Sequence, residues 1–426
     1  EILQVFRELV VEHETLAGNE QLIEEIVIAY AQDASFQAIL LEILASEKVK
    51  PEVQGQVLAA LGFLDDFPQP LHKCVLLGLD RSASEVRAEA LSIAQRFDMS
   101  QPVLVAVSLL AKNEEESPAT RASAMRVLAK HQGYLSDASF TFLVRLLEDQ
   151  QTPVILGRQA AQALGSLRLH LLEEPQSDAL IQTIAGAHSF YLPGLVRPFA
   201  LGREPNAPQE SVIDDAGWNH LGEKLAAALK KNPGLTSLQT GQRREIMKAY
   251  PDVNKGAHTA LSGVLMNGFP SQKEQESAIN SLLNVLDSGN ASRGRVLFHD
   301  QRVSCAACHR IEGQGGQLGP NLTKIGGIRQ PRDLLEAILY PNSTVVNGYE
   351  HYVMETVDGE SYGGIIQRET RDAIYLKNAN MRNVRVARSQ IHRVTTSSIS
   401  IMPSGLNQVL SRQELLDLVA FLETCR

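Results

Sequence analysis

Over residues 1 to 200 apolar positions recur at helical spacing, with turn-forming residues every dozen positions or so and almost no apolar/polar alternation. That pattern predicts a succession of short amphipathic helices. Val53-Gln54-Gly55, Val86-Arg87-Ala88, Thr120-Arg121-Ala122 and Gly157-Arg158-Gln159 align, with steps of 33, 34 and 37 residues between their central positions. Small or apolar residues follow at fixed offsets: Val57 and Leu61, Ala90 and Ala94, Ala124 and Leu128, Ala161 and Gly165. Helices of this size cannot bury an apolar face alone, so the repeat predicts stacking into an α-solenoid. Leu3, Phe6 and Val10 already run at helical spacing with no cap before them, which predicts that residues precede Glu1.

Between Leu201 and Asp214 the composition turns to Pro, Asn, Gln and acidic residues, an exposed connection. Helices resume around Leu221, Leu225 and Leu229, from Arg243 to Tyr250 and from Glu274 to Leu286, with Trp218 expected in the core. Asn290 to Phe298 reads as a short helix with Gly294 and Phe298 four apart. Ser411-Arg412-Gln413-Glu414 is a capping box opening an amphipathic helix through Leu415, Leu418, Val419 and Leu422. Between these two helices the period changes. Tyr349–Val357, Ser361–Arg368, Ala373–Lys377 and Val384–Val394 are β-branched and aromatic runs broken at Asp358-Gly359, Thr370-Arg371-Asp372 and Asn378-Ala379-Asn380, which predicts antiparallel strands. The chain is therefore expected to be mainly α: a solenoid over 1–200, a helical connector over 201–289, and a last domain over 290–426 carrying a β insertion at about 345–398.

Charge divides unequally. The 426 residues carry a net charge of -9, residues 290–426 being slightly basic (+3) and the first 289 strongly acidic (−12). This balance gives no support for nucleic-acid binding. Arg382, Arg385, Arg388 and Arg393 cluster on the last strands, as a docking face for an acidic partner or as a solvated edge that blocks strand addition. No run of 18 apolar residues marks a transmembrane helix. Of the four cysteines, Cys74 falls in the apolar run Leu71 to Leu79 and is expected to be buried and inert. Cys425 could be free or bridge to another chain.

The other two cysteines stand in Cys305-Ala306-Ala307-Cys308-His309, the attachment signature of c-type haem. Each thiol can add to one porphyrin vinyl group, and the adjacent imidazole is then held at the iron as proximal ligand. A zinc site would want a second cysteine pair or paired histidines, and a redox dithiol a βαβ setting; neither is seen. Gly313 to Asn321 is too glycine-rich for helix or strand and predicts a loop. Within it Gly319-Pro320-Asn321-Leu322 is similar to the Gly-Pro-x-Leu stretch of class I cytochromes, which implies that the Pro320 carbonyl accepts the His309 Nδ1 proton and orients the ring. Leu322, Ile325 and Ile328 would then give apolar cover to the porphyrin.

From about Asn290 to its end the chain resembles the C-x-x-C-H haem-binding domain family found mainly in planctomycetes and verrucomicrobia, a cytochrome c module enlarged by a β insertion. The matching stretches are Gly294-Arg295-Val296-Leu297-Phe298, the haem motif, Leu318-Gly319-Pro320-Asn321-Leu322, Gly348-Tyr349-Glu350 and Met402-Pro403-Ser404-Gly405-Leu406. The resemblance implies Met402, 93 residues after His309, as sixth iron ligand. Met354, Met381, His351, His392 and His299 are the competing axial candidates. The helical repeats resemble HEAT repeats. Together these resemblances imply a periplasmic or otherwise exported electron carrier, not itself an enzyme, with one covalent haem c and a redox protein or dehydrogenase as partner. The competing readings are a haem enzyme or sensor with an open distal site, and a solenoid scaffold with structural haem.

Overall fold

The computed structural model describes residues 6–7, 10, 20–149, 151–201, 213–238, 240–251, 255–267, 272–343, 345–346, 348–379, 381–397 and 400–426. Leu3, most of the connection expected between Leu201 and Asp214, and Asn380 lie outside the described residues. The first ten helices are α1 Glu20–Tyr30, α2 Ala34–Ala45, α3 Pro51–Leu61, α4 His72–Asp80, α5 Ser84–Arg96, α6 Gln101–Lys112, α7 Pro118–Gln132, α8 Asp137–Glu148, α9 Val154–Leu164 and α10 Glu174–Gly186. Eleven more follow: α11 Leu192–Leu195, α12 Arg197–Leu201, α13 Asp215–Lys231, α14 Thr240–Ala249, α15 Lys255–Asn267, α16 Gln272–Leu283, α17 Ala291–His299, α18 Cys305–Cys308, α19 Pro331–Leu339, α20 Leu406–Val409 and α21 Arg412–Thr424. The fold is mainly α, as the periodicity predicts.

Local chemistry sets these helices. α7 shows the full set: Ser117 accepts from the Thr120 amide at 3.1 Å, Pro118 occupies the first turn, and Gly133 ends the helix at φ 79. Trp218 is 2% exposed, donates to the Ala249 carbonyl at 2.9 Å and stacks on Tyr250.

The chain divides into two compact units: residues 1–135 with 368–375 and 383–391, and residues 136–367 with 376–382 and 392–426. In the first, alternate helices stack: α1 on α3, α3 on α5 and α5 on α7 form one rank, while α2 on α4 and α4 on α6 form the other. Side chains from each repeat hold carbonyls at the C-terminal end of the preceding one. Arg96 donates to Gly62 at 2.6 Å, Lys130 to Gln95 and Arg96 at 2.9 and 3.0 Å, and Gln54 to Ser46 at 2.8 Å. These bonds satisfy acceptors left over at helix ends, and the cations among them also suit the negative end of the helix dipole.

Five strands, β3 His351–Thr356, β4 Ser361–Glu369, β5 Ala373–Lys377, β6 Asn383–Ala387 and β7 Ile391–Ser397, follow a two-stranded ribbon, β1 Arg310–Ile311 and β2 Gln314–Gly315. The order is β6-β5-β4-β3-β7, with β3 and β4 antiparallel and Met354 opposite Tyr362. The run expected from Val384 to Val394 is thus two strands. Its turn is closed by the Gln390 amide on the Ala387 carbonyl at 3.0 Å. Because β7 pairs with β3, the insertion returns beside its own start.

Three arginines of the cluster, Arg385, Arg388 and Arg393, form ion pairs. Arg385 is 3% exposed and bonds Asp65 at 2.6 Å and Asp372 at 2.9 Å, all within the first unit. Arg388 holds Glu369 and Arg393 chelates Glu355. Arg385 accordingly belongs to the interior, not to a solvated edge. In the second unit α8 packs on α9 and α10, α10 on α13, and α13 on α15; the most extensive helix contact is α17 against α21.

Candidate functional site

Asn290 caps α17 by accepting from the Arg293 amide at 3.0 Å, and Ser411 with Glu414 forms the capping box that opens α21. The two helices cross where Gly294 leaves no room for a side chain. A Cβ there would lie 1.9 Å from the Asp417 carbonyl oxygen. Phe298 and Phe421 fill the contact, with ring centroids 5.8 Å apart. Asp417, 2% exposed on the buried face of α21, accepts from the Asn290 amide at 2.8 Å, from Arg293 Nε at 2.6 Å and Nη2 at 2.8 Å, and from Gln413 at 3.0 Å. The Arg293 hydrogen bonds hold its carboxyl below the usual range. Arg302, bonded to Asp300 at 3.0 Å and Glu414 at 2.8 Å, ties the next loop to the start of α21.

From this crossing the chain enters the cysteine motif. Ser304 turns at φ 53, and Cys305 to Cys308 make a single helical turn that puts both thiols, three residues apart, on one side. The turn closes through the His309 amide on the Cys305 carbonyl at 2.9 Å. β1 and β2 then fold the glycine-rich loop back on the motif. The Gly316 amide donates to Ala306 and the Gly319 amide to Cys308, both at 2.8 Å. A Cβ at Gly316 would stand 1.9 Å from the Ala307 carbonyl, and one at Gly319 would stand 2.5 Å from His309 Cε1. Glycine is needed at both places for the loop to lie on the motif.

The His309 ring is fixed by one hydrogen bond, Nδ1 to the Pro320 carbonyl at 2.9 Å. A carbonyl only accepts, so Nδ1 carries the proton. Burial lowers the pKa of the ring and outweighs the Pro320 bond, which raises it. The imidazole is therefore neutral, with its lone pair on Nε2, the form that binds a metal. Cys305 and Cys308 are free thiols, Cys305 pushed up to about 12 and Cys308 raised, both mainly by burial. Both cysteines and His309 are half-buried. Among the described residues no group of three or more His, Cys, Asp or Glu is placed to hold a metal ion. The donor set suits haem c: two thiols for thioether bonds and an oriented neutral imidazole.

The remaining expected residues are distributed unevenly. Leu322 and Ile325 are half-buried, the Leu322 amide donating to Arg310 at 2.8 Å, whereas Ile328 is 71% exposed. Met402 is half-buried in the loop between β7 and α20, its amide donating to Ser400 Oγ at 3.1 Å. Asn342 braces that loop at the Ser400 amide (2.9 Å) and Ser404 (3.3 Å), and Gly405 sits against Ser189. Met354 is fully buried in the sheet, Met381 lies in a turn at φ 64, His351 is half-buried in β3, and His299 and His392 are exposed. Cys74 is fully buried, and Cys425 is a buried thiol with Sγ 3.6 Å from the Phe421 carbonyl.

Sequence reasoning missed three charged groups. Asp417 carries a detectable signal, an acid set within the run Leu415 to Leu422 of α21. Arg158 of α9 and Lys377 of β5 both act electrostatically on Cys308, and nothing in their spacing announces it.

Residues 291–385 match the family model described as cytochrome c. That stretch is a cytochrome c domain, a haem-binding electron-transfer module; Met402 lies beyond it. A search of curated proteins returns no match to this chain. No helix among the described residues is long and apolar enough to cross a membrane.

Proposed function

We propose that the chain is a periplasmic or otherwise exported c-type cytochrome. It carries one haem c joined to Cys305 and Cys308, with His309 and Met402 as axial ligands. The observation that carries this reading is the 2.9 Å bond from His309 Nδ1 to Pro320, which leaves Nε2 as the lone-pair nitrogen of the residue that follows the two-thiol turn. Haem c supplies a one-electron ferric/ferrous couple. The chain's own residues do the rest. The helical turn presents both sulfurs on one side, and Pro320 fixes the imidazole's direction and raises its basicity. Gly316 and Gly319 let the loop close over the motif, and Leu322 and Ile325 offer apolar cover. Asn342 holds the loop bearing Met402. The stacked repeats, HEAT-like in the two-rank arrangement of their helices, offer a platform for a dehydrogenase or other redox donor, consistent with the planctomycete-type family resemblance.

Visible spectra of the purified chain in both redox states test the assignment. Low-spin haem, with the weak red band of methionine-ligated ferric haem lost in Met402→Ala, is the expected result. A high-spin spectrum with ready binding of carbon monoxide or peroxide overturns methionine ligation in favour of an open distal site. Failure of the reduced pyridine complex to report thioether-linked haem removes the proposal altogether.

A further inference from the structure

The repeat alignment places Gln54, Arg87, Arg121 and Arg158 at equivalent positions, each in the first turns of its helix. In the earlier repeats these side chains are committed to neighbouring backbone or to an acid. Gln54 donates to Ile43, Leu44 and Ser46, Arg87 to Ser82 at 2.7 Å and to Glu116, and Arg121 to Ala111 at 3.3 Å. Arg158 breaks the series. It makes no hydrogen bond or ion pair among the described residues, and its electrostatic neighbours are Cys308 and Tyr191.

Two contacts fix the start of the helix that carries it. The Val154 amide, one turn earlier on the same face of α9, donates to the Gln301 carbonyl at 3.3 Å and pins the helix start to the loop that leads into Cys305. Gly157 lies against the Tyr191 ring, so close that a Cβ would meet it at 2.3 Å. Tyr191 stays a neutral phenol, burial pushing it up to about 12, and cannot neutralise the guanidinium. Lys377 is a second positive charge that acts on Cys308. Asp300, the acid that acts on Cys305, is itself bonded to Arg302 at 3.0 Å. Arginine remains charged in proteins even when desolvated.

We propose that Arg158, assisted by Lys377, is a fixed positive charge that raises the reduction potential of haem bound through Cys308, so that a helix of the repeat region tunes the redox centre. The inference rests on the haem-attachment reading above. A charge that acts on Cys308 acts also on a porphyrin joined to it. Reduction adds one electron, delivered by the protein's redox partner, and lowers the charge of the iron centre by one; Arg158 exchanges no proton. A neighbouring cation therefore favours the reduced form, strongly where the dielectric is low.

Spectroscopic redox titration of the full-length haem-loaded chain tests this, preceded by haem staining on a denaturing gel. No covalent haem in the wild-type chain would sink the attachment reading before the charge question arises. With haem attached, Arg158→Gln is expected to lower the reduced-to-oxidised ratio about tenfold at the wild-type midpoint, which for a one-electron couple is about 59 mV. Arg158→Lys should stay within about twofold of wild type, and Lys377→Gln should move in the same direction as Arg158→Gln by less. An unchanged midpoint in Arg158→Gln, or an equal fall in Arg158→Lys, overturns the proposal. If Arg158→Gln accumulates no haem protein, Lys377→Gln decides: a lowered midpoint supports the proposal and an unchanged one overturns it.

Discussion

Gly55 in the third repeat helix and Gly294 in the helix before the haem motif are both buried, yet they serve opposite kinds of packing. Around Gly55 no described residue lies within 4 Å of where a Cβ would stand; at Gly294 that atom would fall 1.9 Å from the backbone of Asp417. Repeat helices meet through side chains such as Val57, Leu58, Ala90 and Ala94, which can shift to accept a change. At the α17/α21 crossing backbone meets backbone. A stack of repeats can thus drift in sequence while keeping its shape, whereas a site that must hold two thiols and an imidazole in one orientation needs a contact that cannot give.

The sharpest test of this contrast is Gly294→Ala. One methyl group must separate α17 from α21 and disturb the Phe298–Phe421 contact, at a cost of about 3 kcal/mol, the upper end for overpacking. Denaturant unfolding followed by haem absorbance should show the loss, and stability within about 0.5 kcal/mol of wild type would refute the rigid crossing.

Gly319→Ala applies the same logic at the site itself. The new methyl would press on the His309 ring, where Cε1 lies 2.5 Å away, and strain the bond to Pro320. A loss of about 2 kcal/mol is expected, together with a changed ferric spectrum. A normal spectrum with only reduced stability would mean that Pro320 does not orient the ring.

Much of this site was legible because its determinants are local. Asn290 and the Ser411/Glu414 box mark helix starts, the glycine-rich loop sits beside its cysteine motif, and the Pro320 bond spans only 11 residues. What stayed hidden depends on distant partners. Arg385 reads as a surface charge until Asp65, 320 residues away, is placed against it. The break between β6 and β7 falls at Arg388-Ser389-Gln390, with no glycine or proline to announce it. The pairing of β7 with β3 likewise depends on the whole sheet. Arg158 was visible as a repeat position but not as a charge that acts on Cys308 and has no ion-pair partner among the described residues.

Asp417→Asn probes the polar half of the crossing, and pH separates it from packing. Because Arg293 holds the folded-state pKa of Asp417 below the ordinary 3.8, the unfolded chain takes up the proton first as pH falls. The stabilisation is full above 3.8 and disappears as pH drops through the lower folded value. Wild type should therefore lose stability in this acid range more steeply than Asp417→Asn, with the gap between them narrowing as pH falls. Parallel curves would show that the charge contributes nothing.

Gly55→Ala should reverse the sign of Gly294→Ala with the same added atom. Helix α3 has normal helical geometry at this position and, among the described residues, open space for a methyl group, so alanine removes backbone freedom from the unfolded chain without straining the folded one. A gain of about 0.5 to 1 kcal/mol is expected from helix propensity. Calorimetry should show a raised transition for the repeat helices, with the haem spectrum unchanged. A loss at this position would mean that the repeats are packed as unforgivingly as α17 on α21, and the contrast between side-chain and backbone packing would fail where it is easiest to satisfy.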